Sequence, residues 1–457
     1  MRLPRPASVR SACLLAFSIS FAASSATALE RKLLRVGTSG DYAPWSERAP
    51  APEGEREIDG NSLNSGFDIE VARAYATERD LELRFVPFRW PKLLELLAAD
   101  RFDVAMSGIT VRSERSLAGR FSVPVAEAGA ILLLPPESSL RSVEDLERLT
   151  RVRIAVNAGG HLEQVAQQRF PNATLVAVSS NPAVLEVLLA RGAEVALTDT
   201  SEAPIWLARA QAEKGEKLRL IGPLTQDRKA YLFPPGADEL AADFDAWLAA
   251  REASGWLAEL RAERLRSEEA RPLAAALPAL FAAIDERLSL MPMLGVAKRR
   301  EGFPIEVPER EVEVLNAAVM QVRDASLRAG RAEPSEAEKH ALRELYRAQF
   351  DAAKQIQLAA VRDELIPDEV ALPDVEEVLR PALDRIGERI ARLIVALPVD
   401  AGQELVESTA RLELRTDLLG APARDLLTQA VVVLVLNQRD SARAASPAST
   451  GTAAQTP

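Results

Sequence analysis

Three stretches of this 457-residue chain carry side chains of useful chemistry at useful spacings. Asn157-Ala158-Gly159-Gly160-His161 follows an apolar run and opens a helical one. Glycines there let backbone N–H groups approach a ligand, and a helix N-terminus favours a carboxylate or phosphate. A plain tight turn is the commoner meaning of such a pair. In Ser107-Gly108-Ile109-Thr110-Val111-Arg112-Ser113-Glu114-Arg115, small polar groups precede an arginine placed to fork onto a carboxylate. Taken alone, Arg115 reads as a surface residue. Arg287 and Lys298 stand eleven residues apart. That is within about 20° of three whole helical turns, so both cations fall on one face, about 16 Å apart along the axis. Pro292 between them is expected to kink the helix. Arg310 stands near the start of a following helix, Ala353 and Gln357 share a face at i, i+4, and Arg380 directly precedes Pro381. A solvated charged face is the usual meaning of any one of these arginines.

Composition removes other chemistries. The one cysteine, Cys13, lies in the first 28 residues, and His161 and His340 are the only histidines. A thiol nucleophile, a cysteine metal site and a histidine-rich metal site are therefore excluded. Residues 1–28 read as an export signal: Arg2, Arg5 and Arg10, an apolar stretch from Ser11 to Ala23, then Ala26-Thr27-Ala28. About 13 apolar residues fall short of the roughly 20 that a membrane span needs. Net charge is −11, or −14 (53 basic against 67 acidic residues) once the three signal arginines leave. Such a surface repels nucleic acid and anionic lipid. An anionic ligand must be caught by local cations against that field.

The elements that must position these residues are of two kinds. From Leu33 to about Leu265, β-rich runs alternate with helical ones, which predicts α/β layers. The strands are expected at Leu33–Thr38, Leu81–Pro87, Asp103–Ser107, Ala130–Leu134, Arg153–Val156, Thr174–Val178, Glu194–Thr198, Leu218–Ile221 and Lys229–Phe233. Helices are expected at Phe67–Arg79, Pro91–Ala99, His161–Gln168 and Pro182–Ala190. From Arg271 the β signal stops, and helical segments run to about Asn437 with breaks near Pro304–Pro308, Gly330–Pro334, Pro367–Pro373 and Pro398–Gly402. The apolar run Ala430 to Leu436 reads as a core helix face. The expected domains are thus 1–28 signal, 29–266 α/β, 267–271 linker, 272–440 all-helical, and a disordered Ser/Thr/Ala/Pro-rich tail at 441–457.

The order of motifs in the first part resembles a family. Arg35-Val36-Gly37-Thr38, Gly66-Phe67-Asp68-Ile69-Glu70, Phe102-Asp103-Val104 and Gly108-Ile109-Thr110…Glu114-Arg115 are similar to periplasmic binding proteins for polar amino acids. The resemblance implies two α/β lobes closing on a ligand, with Arg115 on its α-carboxylate. Thr38-Ser39-Gly40-Asp41-Tyr42-Ala43-Pro44, Trp90-Pro91, Asn157…Gly159-Gly160…Glu163, Thr198-Asp199…Glu202 and Lys229-Ala230-Tyr231-Leu232 bring it closer to cyclohexadienyl dehydratases. That family removes water and carbon dioxide from prephenate to give phenylpyruvate, and from arogenate to give phenylalanine. The resemblance makes Glu202 the general acid, kept protonated by burial and neighbouring anions. It makes Trp90 an apolar wall, and sets Arg115, Lys229, Asn157 and the Gly159 and Gly160 amides on the carboxylates, with Thr110 and His161 among the substrate contacts. Without it, Glu202 reads as a helix N-terminal carboxylate. The sequence departs from the family in His161 for a threonine, Arg89 for a smaller residue, and an insertion from Glu47 to Ser65.

The second part resembles another family. Glu286-Arg287-Leu288…Val296-Ala297-Lys298…Phe303-Pro304-Ile305-Glu306…Pro308-Glu309-Arg310-Glu311, with Ala348-Gln349-Phe350…Ala353-Lys354-Gln355-Ile356-Gln357, is similar to the secreted, all-helical class of chorismate mutase. That family rearranges chorismate to prephenate without cofactor or proton transfer. The resemblance implies Arg287, Arg310 and Arg380 on the carboxylates, with Lys298 and Gln357 donating to the ether oxygen. Ala353 lacks a hydroxyl that some relatives have, and the chain lacks their disulfide. Together the resemblances imply an exported, periplasmic, cofactor-free bifunctional enzyme for chorismate, prephenate and arogenate, self-associating into a homo-oligomer, with neither nucleic acid nor membrane as partner. The rival expectation is an amino-acid transport or sensing protein fused to a helical dimerisation module.

Overall fold

A computed structural model describes residues 32–48, 64–266 and 271–445. The expected signal lies outside these residues, as do most of the insertion, residues 267–270 of the linker and 446–457 of the tail.

The α/β half begins with β1 (Leu33–Thr38), followed by the short antiparallel strands β2 (Asp41–Tyr42), β3 (Ser46–Arg48) and β4 (Asn64–Ser65). Next come α1 (Phe67–Glu78), β5 (Glu82–Pro87), α2 (Leu93–Ala98), β6 (Val104–Ala105), α3 (Ser113–Ala118) and β7 (Arg120–Phe121). The hinge strand β8 (Ala126–Ala128) leads into a second lobe. Its elements are β9 (Ala130–Leu134), α4 (Val143–Glu147), β10 (Arg153–Asn157), α5 (His161–Arg169), β11 (Thr174–Val178), α6 (Asn181–Leu189), β12 (Val195–Asp199), α7 (Ala203–Lys214) and β13 (Arg219–Ile221). The chain returns through hinge strand β14 (Asp227–Lys229) to β15 (Leu232–Phe233), α8 (Asp238–Ala253) and α9 (Trp256–Leu260) on the first lobe. The two main sheets run β5-β1-β6-β15-β7 and β11-β10-β12-β9-β13, and β8 pairs with β14 between them.

Alternation along the strands builds the second lobe. Leu132 and Leu134 of β9, Ile154 and Val156 of β10, and Val195 and Leu197 of β12 enter one apolar cluster. Ile131, Leu133, Ala155 and Ala196, one residue out of step, enter the cluster on the opposite face. A sheet buried on both faces needs apolar residues at both parities, which is why these strands read as continuous hydrophobic runs.

The helical half comprises α10 (Ala276–Ser289), α11 (Met291–Glu301), α12 (Pro308–Arg328), α13 (Glu336–Arg362), α14 (Arg380–Val395), α15 (Gln403–Glu413) and α16 (Ala421–Ala445). A capping box between Ser335 and Glu338 starts α13, satisfying amides that a bare helix end would leave open. Its residues Leu342, Leu345, Tyr346, Gln349 and Ile356 recur at helical spacing on the buried face. One apolar core runs unbroken from Phe244 and Leu257 of the first lobe to Leu277, Phe281 and Ile284 of α10. The helical half is therefore packed onto the first lobe as a continuation of its interior. Among the described residues no helix is long and apolar enough to cross a membrane.

Several expectations shift. The single strand foreseen at Lys229–Phe233 is two, because β14 pairs with the hinge strand β8 and β15 with β6 and β7. Pro91 sits in a 3-10 turn, Trp90–Lys92, ahead of α2. Arg271 is no free linker residue, since it forms ion pairs with Glu127 and Glu413. Helix α16 runs on through residues 441–445, past the expected start of the tail. Pro292 does not kink one helix. The helix ends at Ser289, and Pro292 stands in the first turn of the next, where a missing N–H leaves no bond unmade.

Candidate functional sites

The first site is the cleft between the two lobes, lined by Tyr42, Trp90, Gly108, Thr110, Arg115, Asn157, Gly160, His161, Leu162, Asn181 and Lys229. Gly108 makes the turn that follows β6. Its φ is +60°, and a Cβ there would lie 2.6 Å from the Trp45 ring. Its N–H donates to Asp68 at 2.6 Å. The loop then delivers Thr110 and, in the first turn of α3, Arg115.

Arg115 is buried, and its Nη1 donates to the Thr110 carbonyl at 2.9 Å. Its guanidinium lies 5.7 Å from the Trp90 ring centre. Burial lowers its pKa to about 9. A buried guanidinium with no ion-pair partner among the described residues is costly, and an incoming carboxylate would relieve that cost. Lys229 also points into the cleft, but not unpaired: its Nζ donates to Thr110 Oγ1 at 3.0 Å and lies 3.3 Å from Asp199 Oδ2. Sequence reasoning gave Lys229 to the ligand alone, whereas in the structure it also neutralises Asp199. Tyr42 Oη donates to the same aspartate.

Glu202 follows β12 and is 2% exposed. It occupies the N-cap position of α7 without a side-chain capping bond. Glu202 thus does stand at a helix N-terminus, but its side chain caps no amide there. Its carboxyl instead meets Asn181 Nδ2 and, at 2.5 Å, Thr198 Oγ1. Burial first, and the nearby Asp199 second, push its pKa well above the ordinary carboxylate range. A hydroxyl can accept as well as donate, so Thr198 can donate to an ionised Glu202 or accept a hydrogen bond from a protonated one. Asn181, which itself lines the cleft, separates Glu202 from the open space and accepts from Asn157 Nδ2 at 3.4 Å.

The loop after β10 behaves only in part as expected. Gly159 has φ +71°, and a Cβ there would sit 2.7 Å from Pro91 Cγ of the opposite lobe. Its N–H already donates to Glu163 at 2.6 Å, so that amide belongs to the helix start, and Gly160 is the member of the pair that lines the cleft. His161 Nε2 lies 2.7 Å from Asp227 Oδ2. Burial lowers the ring's pKa and Asp227 opposes this. Trp90 meets Tyr42 edge-on at 5.8 Å, and the two rings form the apolar wall. Sequence reasoning missed Asn181 as a site residue. The available signal was its place after β11, at the carboxyl end of a parallel strand, where open α/β sheets collect ligands.

The second site is a pocket of about 1760 Å³ in the helical half. It brings together Arg287, Lys298, Arg310, Ala353, Gln357 and Arg380 from α10, α11, α12, α13 and α14. Arg287 is buried, its Nη1 has no hydrogen-bond partner, and burial lowers its pKa. Its guanidinium lies 5.9 Å from the Phe350 ring centre. Lys298 Nζ donates to the Ile305 carbonyl at 3.1 Å. Burial, then the charge of Arg380, lower the lysine's pKa. Gly295 lets α11 meet α13, since a Cβ there would lie 2.8 Å from Gln357 Cα. Gln357 Nε2 rests 3.7 Å from Met291 Sδ, and its Oε1 is buried without a partner. Arg310 and Arg380 are held by Glu313 and Glu376 at the more exposed rim. No pocket-lining carboxylate is buried.

Residues 34–265 match the bacterial extracellular solute-binding proteins, family 3. The chain is 33% identical over 235 residues to a cyclohexadienyl dehydratase of Pseudomonas aeruginosa, covering 50% of this chain and 81% of that protein. It is 27% identical over 253 residues to a probable amino-acid ABC transporter-binding protein of Haemophilus influenzae, covering 54% of this chain and 91% of that one. A solved ancestral amino acid-binding protein, a precursor of cyclohexadienyl dehydratase, aligns with a TM-score of 0.44 at 28% identity, covering 51% of this chain and 95% of its own. Through its α/β half, this chain belongs to the extracellular solute-binding proteins of family 3.

Proposed function

We propose that the chain is an exported bifunctional enzyme that turns chorismate into prephenate in the helical pocket, and prephenate into phenylpyruvate in the α/β cleft. The single observation that carries this reading is a buried Glu202, with its pKa raised, behind the second-lobe side of the cleft whose first-lobe side presents Arg115. In the cleft, Arg115 and Lys229 hold the substrate carboxylates, and Tyr42 and Trp90 face its ring. The carbon–carbon bond to the ring carboxylate breaks, carbon dioxide leaves, and its electron pair aromatises the ring. Once the Asn181 side chain, which here stands between them, gives way, Glu202 gives its proton to the departing hydroxyl, which leaves as water; solvent then reprotonates Glu202. Arogenate, which carries an amine in place of the keto group, gives phenylalanine by the same step.

In the helical pocket the chain acts by holding a compact conformer and stabilising charge on the breaking ether bond. Arg287, Arg310 and Arg380 bind carboxylates, while Lys298 and Gln357 donate to the ether oxygen. Export before residue 29 would place this sequence in the periplasm, in keeping with the extracellular family to which the first half belongs. Purified full-length protein incubated with chorismate should yield phenylpyruvate. Chorismate left unconsumed, or prephenate accumulating with no phenylpyruvate, would refute the coupled reading. The similarity to an amino-acid transporter-binding protein favours a second reading, ligand capture without chemistry. Thermal stabilisation by amino acids with no turnover of prephenate would support that one.

A further inference from the structure

The halves meet over a buried polar seam whose residues alternate with those of the cleft. On β14, Asp227 and Lys229 serve the cleft, and Arg228 between them points the other way. Its Nη1 donates to Asp285 Oδ2 at 2.7 Å and its Nε to Glu413 Oε2 at 3.0 Å, all three side chains being buried. On α3, Arg115 enters the cleft, while Ser116 turns away and donates to Glu286 Oε1 at 2.8 Å. The other oxygen of Glu286 is held by Arg389, whose Nη1 donates to the Phe121 carbonyl at 2.6 Å. Each cationic grip of the cleft is therefore one residue from an anchor on α10. Those anchors, Asp285 and Glu286, immediately precede Arg287 of the helical pocket. Glu202 has no part in the seam, because it stands on the second lobe.

We propose that Asp285 and Glu286 of the helical half are positioning residues for the α/β cleft, holding Lys229 and Arg115 in place through Arg228 and Ser116. The inference rests on the functional reading above for the ligand's identity. Helix α10 is buried along most of its length, so it gives the two grips a rigid backing. A grip displaced by a fraction of an ångström loses carboxylate affinity without changing the acid.

The test uses the full chain with Ser116→Ala, which removes one hydroxyl, and Arg228→Lys, which keeps the charge but cannot fork onto two carboxylates. The expected result is a rise in KM for prephenate of about fivefold or more in each variant, as loss of one charge-assisted bond allows. The kcat for prephenate and its pH profile should stay within about twofold, since the seam does not reach Glu202. A purely structural role would instead lower kcat and the melting temperature together, with KM unmoved, and that outcome overturns the proposal. So would an unchanged KM in both variants. Wild-type protein that binds prephenate without turning it over would refute the functional reading alone, and the same comparison is then read from calorimetric Kd values. Failure to bind prephenate at all would end both.

Discussion

The two pockets of this acidic protein each hold a buried arginine but surround it differently. In the α/β cleft the cation Arg115 of the first lobe stands across from acids of the second: Asp199 neutralised by Lys229, and Glu202 buried behind Asn181. In the helical pocket the buried cation Arg287 is accompanied by Lys298 and the neutral donor Gln357, and no buried acid lines the space. A cleft backed by a buried acid whose pKa is raised suits a reaction with a leaving hydroxyl. A pocket that only gathers donors suits a rearrangement in which no proton moves. The difference lies in which charges burial has left uncompensated, and each variant below perturbs one side of it.

The largest effect is expected from Glu202→Gln, which removes the stored proton and keeps the shape. Prephenate turnover should fall by about 10²–10⁴-fold, the range of a lost general acid, while chorismate turnover measured on the same sample stays within about twofold. Lys298→Ala should do the reverse. Chorismate kcat should fall by about 10²–10³-fold, as for a lost donor at developing charge, with prephenate kinetics unmoved. Arg115→Lys keeps charge but loses the planar fork, and a rise of about tenfold in KM for prephenate is expected in steady-state assays. A pH series sharpens the comparison further. Because burial raises the pKa of Glu202, prephenate kcat should hold at low pH and decline as pH rises through that raised value. The chorismate step should lack the Glu202 limb; any alkaline fall there belongs to Lys298, whose pKa burial and Arg380 lower, because Gln357 donates without titrating. The smallest effect is a matter of backbone. Gly159→Ala must adopt a positive φ and meet Pro91, so chemical denaturation should show a loss of about 1–2 kcal/mol.

Much of the frame was legible from the residues. The strands Leu33–Thr38, Ala130–Leu134 and Thr174–Val178 end where their apolar runs end. The switch from α/β layers to helices falls where the β-rich runs stop. Short or edge elements were harder: β6 is two residues long because only Val104 and Ala105 pair, and neither parity nor length can announce that. The break at Leu290 escaped notice because Pro292 is as compatible with a helix start as with a kink. In the sites, glycines and arginines in loops were visible, but their partners were not. Lys229 meeting Asp199 and Asn181 standing before Glu202 are contacts between residues far apart in the chain, whereas Glu163 claims the amide of Gly159 within one loop–helix junction. The seam of Arg228, Asp285 and Glu413 was wholly hidden, since each residue alone reads as surface charge.

The proton on Glu202 can be seen directly. Infrared difference spectra between wild-type protein and Glu202→Gln at neutral pH should show a protonated carboxyl stretch that disappears only on raising the pH. A difference spectrum showing an ionised carboxylate at neutral pH would contradict the account, because the cleft would then hold no acid to give.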